Sequence, residues 1–225
     1  DMNTMFQRTM KTLLSVWLLM GLMACSPTDS SDEQPLNDAP PQNGVEVPSG
    51  KTVFKSAYAL NDFNLSVPSS YWETRLFDTQ ENAHSVERRF GVQEYTQLSG
   101  HQQSLLALKT SSAGFAVKCR PAECPVYGVS IHNSDVMLLT NKAELKEFLG
   151  DIDTEAEAFV WLSYAQDYQQ RMTPMTFEKT SDGYLVELNW DTECQLKGKD
   201  LVKVTHDGRI EKVREISRET YEGCV

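Results

Sequence analysis

The chain has 225 residues, 40% of them hydrophobic, and a formal charge of −11. That length and composition suffice for a sizeable apolar core, while the acidic balance repels phosphate backbones and excludes nucleic-acid binding without a concentrated basic patch. The signatures GxSxG, SxxK, HExxH and the Gly-rich phosphate loop are absent, which removes the local marks of the enzymes that use them.

From the N-terminus, Arg8 and Lys11 precede an apolar run from Thr12 to Leu22 (TLLSVWLLMGL). The run holds about eleven residues, where a helix crossing the hydrocarbon core needs roughly twenty. Positive charge, a short apolar stretch and small residues form the pattern of an export signal. Leu22-Met23-Ala24-Cys25 resembles the lipobox of bacterial prelipoproteins. The resemblance implies a diacylglyceryl group on Cys25, cleavage just before it, and acylation of the new amino terminus. Residues 1–24 are then a signal peptide, with Met2, Met5 or Met10 the expected initiator. The competing reading is an ordinary cleaved signal with Cys25 as a thiol. Several acyl chains hold a protein on a bilayer where one binds marginally. In that family Asp after the cysteine commonly marks inner-membrane retention, so Ser26 implies sorting to the periplasmic face of the outer membrane if the envelope is Gram-negative.

Residues 25–50 are expected to be the lipidated cysteine and a tether. SPTDSSDEQPLNDAPPQNGVEVPSG is rich in Pro, Ser, Asp and Asn and has no aromatic residue, so it cannot bury enough surface to order itself. A flexible chain of that length spans roughly 25–30 Å, and its prolines extend it. Without the leader, 19 basic residues face 31 acidic ones, a formal charge of −12. Such a surface suits cationic partners, although it also serves solubility alone.

Residues 51–225 read as one domain. Extended segments are expected around TVFKSAYAL, YWETRLF and SLLALKT. Four cysteines remain after Cys25, namely Cys119, Cys124, Cys194 and Cys224, and after export they are expected to form two disulfides. Three connectivities exist, of which Cys119–Cys124 and Cys194–Cys224 are favoured. A zinc site from these thiols and His206 is the alternative, although the spacing lacks paired CxxC units. VYGVSIH and DVMLL flank a polar turn at Asn133-Ser134. Asn141 caps a predicted helix NKAELKEFLG with Glu144 in a capping box, and Thr154 caps TEAEAFVWLSYAQDYQQ with Glu157 in the same position. YLVELNW alternates as a half-buried strand, and Asp182-Gly183 and Asp207-Gly208 mark hairpin turns. In RIEKVREI, Ile210, Val213 and Ile216 fall at threes, which predicts a bulge or a short helix. The fold class is α+β, with a central helical pair, antiparallel strands and a C-terminal meander.

Other candidates are sparse. Asp151, Asp153 and Glu155 resemble the opening of a calcium loop, but Ala156 stands where its Gly belongs and Leu162 where its Glu belongs. His84, His101, His132 and His206 are scattered, and His132 with Asp135 brackets a turn where a metal or acid–base pair could form. Tyr71-Trp72 and Tyr164–Tyr168 are candidates for a ligand groove or for the core. FLGDIDTEAEAFVWLSY, the DG hairpin and the terminal GCV are similar to parts of bacterial envelope proteins without assigned activity. The expected function is a non-catalytic binding or assembly module, held on the membrane by its lipid and facing an envelope protein partner, with no cofactor or metal. The alternative is an envelope hydrolase or peptidoglycan-acting enzyme whose site is assembled from distant residues.

Overall fold

The computed structural model describes residues 50–118, 124–165, 171–192 and 196–220. The chain divides into Asp1–Asp38 and Ala39–Val225, and every described residue belongs to the second unit. That unit is α+β and contains two antiparallel sheets. One carries strands β1 (Thr52–Val53), β7 (Arg171–Thr180), β8 (Gly183–Asp191), β9 (Leu196–Thr205) and β10 (Ile210–Thr220) in the order β1-β7-β8-β9-β10. Its last four strands follow one another as the C-terminal meander. The other sheet has the order β3-β2-β5-β4, from β2 (Tyr71–Asp78), β3 (Ala83–Phe90), β4 (Ala116–Val117) and β5 (Pro125–His132), with β6 (Asp135–Leu139) also paired to β5.

Helices α1 (Val92–Gln97), α2 (Gly100–Leu108), α3 (Lys142–Leu149) and α4 (Glu155–Tyr164), with a 3-10 turn at Leu60–Asp62, complete the described elements. α4 is apolar around its circumference, and a helix of that kind belongs inside a protein. Ala156, Ala158, Phe159, Val160, Trp161, Leu162 and Tyr164 are all buried, in one core with Trp72 and Val126 of the second sheet and Phe177, Val186 and Val204 of the first. The helical pair α3–α4 is therefore central. Thr154 closes the predicted box: its side chain accepts the Glu157 N–H at 3.2 Å, and Glu157 accepts the Thr154 N–H at 2.9 Å. Asn141 accepts the Glu144 N–H at 3.0 Å, but the Glu144 carboxylate reaches back one residue further, to the Thr140 N–H at 2.6 Å.

The Asn133-Ser134 turn joins β5 to β6 with positive φ at both residues, 53° and 104°, the geometry that matches strand twist in a two-residue hairpin. The threefold spacing in RIEKVREI belongs to a strand. Register shifts between Lys212 and Arg214 and between Glu215 and Ser217 each insert one residue, Val213 and Ile216. SLLALKT differs from expectation, because most of it lies in α2. Ser99 caps that helix by accepting the Gln102 N–H at 3.2 Å, while the Gln102 side chain accepts the Ser99 N–H at 3.0 Å. The reciprocal cap favours the helix over an extended run.

Candidate functional site

β2 separates two chemistries by its period of two. Trp72 and Leu76 pack in the main core, whereas Tyr71 and Phe77 join a second cluster with Tyr127, Val129, Ile131 and Leu106. Glu73 and Arg75 share the strand face of Tyr71 and are almost fully buried. Burying opposite charges in an apolar cluster is unfavourable unless each is paired, and these are. The Arg75 Nε and Nη2 both lie 2.5 Å from Glu73 Oε1. Glu73 Oε2 accepts the Tyr71 hydroxyl and lies 3.5 Å from the Arg89 Nε. Arg75 Nη1 donates to the carbonyl oxygens of Leu106 and Lys109, at 2.8 Å each. One guanidinium thus joins a sheet carboxylate to the C-terminal end of α2.

Electrostatics follow the geometry. Burial first, and then the Glu73 charge, push the Tyr71 phenol above its ordinary value. Burial also raises Tyr127, against a downward pull from Arg75. Burial, followed by the Arg75 charge, lowers His84. The Tyr127 hydroxyl lies beside Arg75 and the Ser111 backbone but makes a hydrogen bond of good geometry with neither, so a buried donor is left over.

α1 and α2 cover this face as a unit. The Gln103 amide donates to the carbonyls of Tyr95 and Leu98, at 3.4 and 3.3 Å, tying one helix to the other. Tyr95 packs against the Tyr71 ring at 5.3 Å and under the Arg89 guanidinium at 4.8 Å. Leu106 is the one buried side chain of α2, and Leu108 is 78% exposed.

Comparison with protein-family models, curated proteins and solved structures gives no match. The geometry therefore stands alone.

The residues singled out from the sequence do not meet at one place. Cys25, Cys119, Cys194 and Cys224 lie outside the described residues. Cys124 is buried and disulfide-bonded, so its sulfur is not a thiolate ligand for zinc. His132 and Asp135 are register partners, but the His132 ring binds elsewhere: Nδ1 lies 2.5 Å from the Pro68 carbonyl oxygen and Nε2 2.8 Å from the Asn133 amide. His101 is exposed on α2 and His84 lies on β3. Among the described residues no three His, Cys, Asp or Glu side chains converge as metal ligands, Asp151, Asp153 and Glu155 included. Tyr71, Trp72 and Tyr164 are core residues, and Tyr168 lies outside the described residues.

One pairing brings a histidine to a carboxylate. His206 Nδ1 lies 2.9 Å from Asp153 Oδ1 and 2.9 Å from the Ile152 carbonyl oxygen, while the His206 carbonyl accepts the Ile152 N–H at 2.8 Å. Nearby, the Trp161 indole donates to the Gly208 carbonyl at 2.7 Å and the Tyr184 hydroxyl to the Asp153 carbonyl at 2.6 Å. These bonds fasten the β9–β10 turn to α4 and to the segment between α3 and α4, and β8 to that same segment. The Glu73–Arg75 pair had a signal in the sequence, since Tyr71, Glu73, Arg75 and Phe77 share one face of YWETRLF and opposite charges interrupt its apolar residues.

Proposed function

We propose that this chain is a lipid-anchored envelope lipoprotein whose residues 51–225 act as a non-catalytic binding or assembly module, on the periplasmic face of the outer membrane if the cell is Gram-negative. The observation that carries the address is Leu22-Met23-Ala24-Cys25, followed by the Pro- and Asp-rich stretch that ends just before β1. Binding is favoured over turnover by the state of the buried polar cluster on β2. Both oxygens of Glu73 are engaged by Tyr71, Arg75 and Arg89, so the carboxylate has no lone pair directed at a substrate proton.

The second reading, an envelope hydrolase, is favoured by Asp153 and His206. A carboxylate on Nδ1 holds an imidazole in the tautomer that leaves Nε2 as a base. Among the described residues no hydroxyl is hydrogen-bonded to His206, and its Nδ1 is shared with the Ile152 carbonyl, which makes it a fastening between chain segments.

The test of the address is metabolic labelling with a fatty-acid analogue. The wild-type chain incorporates label and the Cys25→Ala chain does not, while the variant keeps the same circular dichroism. Undiminished label in the variant would overturn the reading.

A further inference from the structure

We propose that Asn64 is a glycosylation site, which takes a glycan from a lipid-linked pyrophosphate donor as the chain is exported. This inference rests on the export reading and adds a second modification to it.

The motif is Asn64-Leu65-Ser66, the one place in the chain where a serine or threonine stands two positions after an asparagine. That spacing has a physical reason. In an extended chain, residues i and i+2 lie on one side and roughly 6–7 Å apart, so a transferase can hold the hydroxyl while the carboxamide reacts. Leu65 between them leaves the backbone free to extend, where a proline would fix it. Asp62, two positions before the asparagine, adds a charged handle and narrows the motif beyond the bare triplet. Cys124 is disulfide-bonded, which suits the oxidising compartment that an exported chain enters.

The motif needs a surface loop, and the fold supplies one. Residues 63–70 run without helix or strand from the 3-10 turn to β2. Phe63, Leu65 and Val67 pack against the main core, while Asn64 and Ser66 between them are exposed. The backbone fastens this strap: the Asn64 N–H donates to Glu157, and the Ser66 N–H to the Phe148 carbonyl at 3.2 Å. The Asn64 carboxamide makes no hydrogen bond with the described residues, so a glycan on its nitrogen displaces nothing. Asn133 and Asn141 differ, since their side chains are engaged by His132 and by the Glu144 N–H. In the folded chain the Asp62 carboxylate accepts from Lys55 Nζ and from the Ala59 N–H, at 2.8 Å each. Transfer therefore precedes packing of the strap, while the acid is still open to the transferase.

The step balances without an oxidant or reductant. The Asn64 amide nitrogen attacks the anomeric carbon of the donor glycan and forms a C–N bond. The C–O bond to the pyrophosphate breaks, the polyprenyl pyrophosphate leaves, and the amide proton passes to the transferase.

The test is mass spectrometry of the full chain purified from the envelope of the cells that encode it. The tryptic peptide 56–75 should carry sugar mass localised to Asn64. Asn64→Gln and Ser66→Ala should each lose it, whereas Ser66→Thr keeps the hydroxyl and should keep the glycan. All three positions are at the surface, so far-ultraviolet circular dichroism should be unchanged. An unmodified Asn64 in a chain that is acylated at Cys25 overturns the proposal and leaves the address standing. A glycan that survives Asn64→Gln overturns it as well. A chain that is neither acylated nor glycosylated fails both readings, so the two failures are distinguishable.

Discussion

The Glu157 carboxylate accepts the backbone N–H of Asn64, 93 positions away in sequence, and thereby ties the segment before β2 to the start of α4. The same side chain accepts the N–H groups of Asp153 and Thr154, at 2.8 and 2.9 Å. Three backbone donors thus converge on one buried carboxylate, which replaces the water lost on burial. Glu157→Ala strands all three. The expected loss is roughly 3 kcal/mol or more, since each buried donor without a partner costs about 1–3 kcal/mol. Chemical denaturation measures it, and a loss below roughly 1 kcal/mol would show that water replaces the carboxylate.

Gly198 lies beneath Trp190, its register partner on β8. A Cβ there would stand 2.4 Å from the indole and 2.5 Å from the Ser217 carbonyl oxygen. Gly198→Ala should therefore destabilise by about 1–3 kcal/mol, the usual cost of overpacking. Gly100 is the control, because nothing lies within 4 Å of its Cβ position at the start of α2. Gly100→Ala should be neutral or slightly stabilising, given the poor helix propensity of glycine. Equal effects at the two sites in thermal melts would contradict the close packing of Trp190 on Gly198.

What the sequence disclosed here was local. Caps at Asn141 and Thr154, the Asn133-Ser134 turn and the alternation in YLVELNW depend on residues within a few positions of one another, and each stands in the structure as an element or a turn. SLLALKT reads as extended because Leu105 to Leu108 form an unbroken apolar run without helical spacing, and in α2 only Leu106 of them is buried. The Asp182-Gly183 turn implies a strand before it, but the bounds of β7 are not legible in RMTPMTFEKT, where Pro174 lies beside a register shift and interrupts the run. The Glu73–Arg75 pair was visible as residues but not as a site. What makes it one is coverage by Tyr95 and Leu106, and that is decided by packing between residues 24 positions apart, Tyr71 and Tyr95, and 31 apart, Arg75 and Leu106. The contact of His206 with Asp153 is equally non-local.

β1 pairs with β7, and the Lys51 ammonium pairs with the Glu187 carboxylate, so the first described residues already belong to the folded unit. Residues 26 to 49 have the composition of a spacer. A chain beginning at Lys51 should melt within a degree or two of one beginning at Ser26, whereas one beginning at Lys55 loses β1 and Phe54, whose ring packs on Phe159 and Phe177. That second truncation should cost several degrees, because a buried phenylalanine is worth about 3–5 kcal/mol. If the Lys51 chain melts well below the Ser26 chain, residues 26 to 50 are docked and the spacer reading is wrong.

Burial, and next the Glu157 charge, raise the Tyr184 phenol from 10.0 to about 12. Tyr58, Tyr71 and Tyr164 are raised as well, each by burial first and then by a neighbouring carboxylate, Glu155, Glu73 and Glu87 in turn. A group whose folded value exceeds its unfolded value adds stability that is complete below the unfolded value and is lost as pH rises toward the folded one. For Tyr184 the window runs from 10 to about 12, where its hydroxyl must give up the Asp153 carbonyl in order to ionise. Tyr164 in addition loses its donation to Glu87, which lies 3.0 Å away. Ultraviolet titration of the eight tyrosines should therefore be biphasic. Accessible phenols ionise first, and the buried set follows together with the loss of near-ultraviolet circular dichroism. A single titration of all tyrosines at the ordinary value, with the dichroism intact, would mean that these phenols are not enclosed by the core as the structure has them.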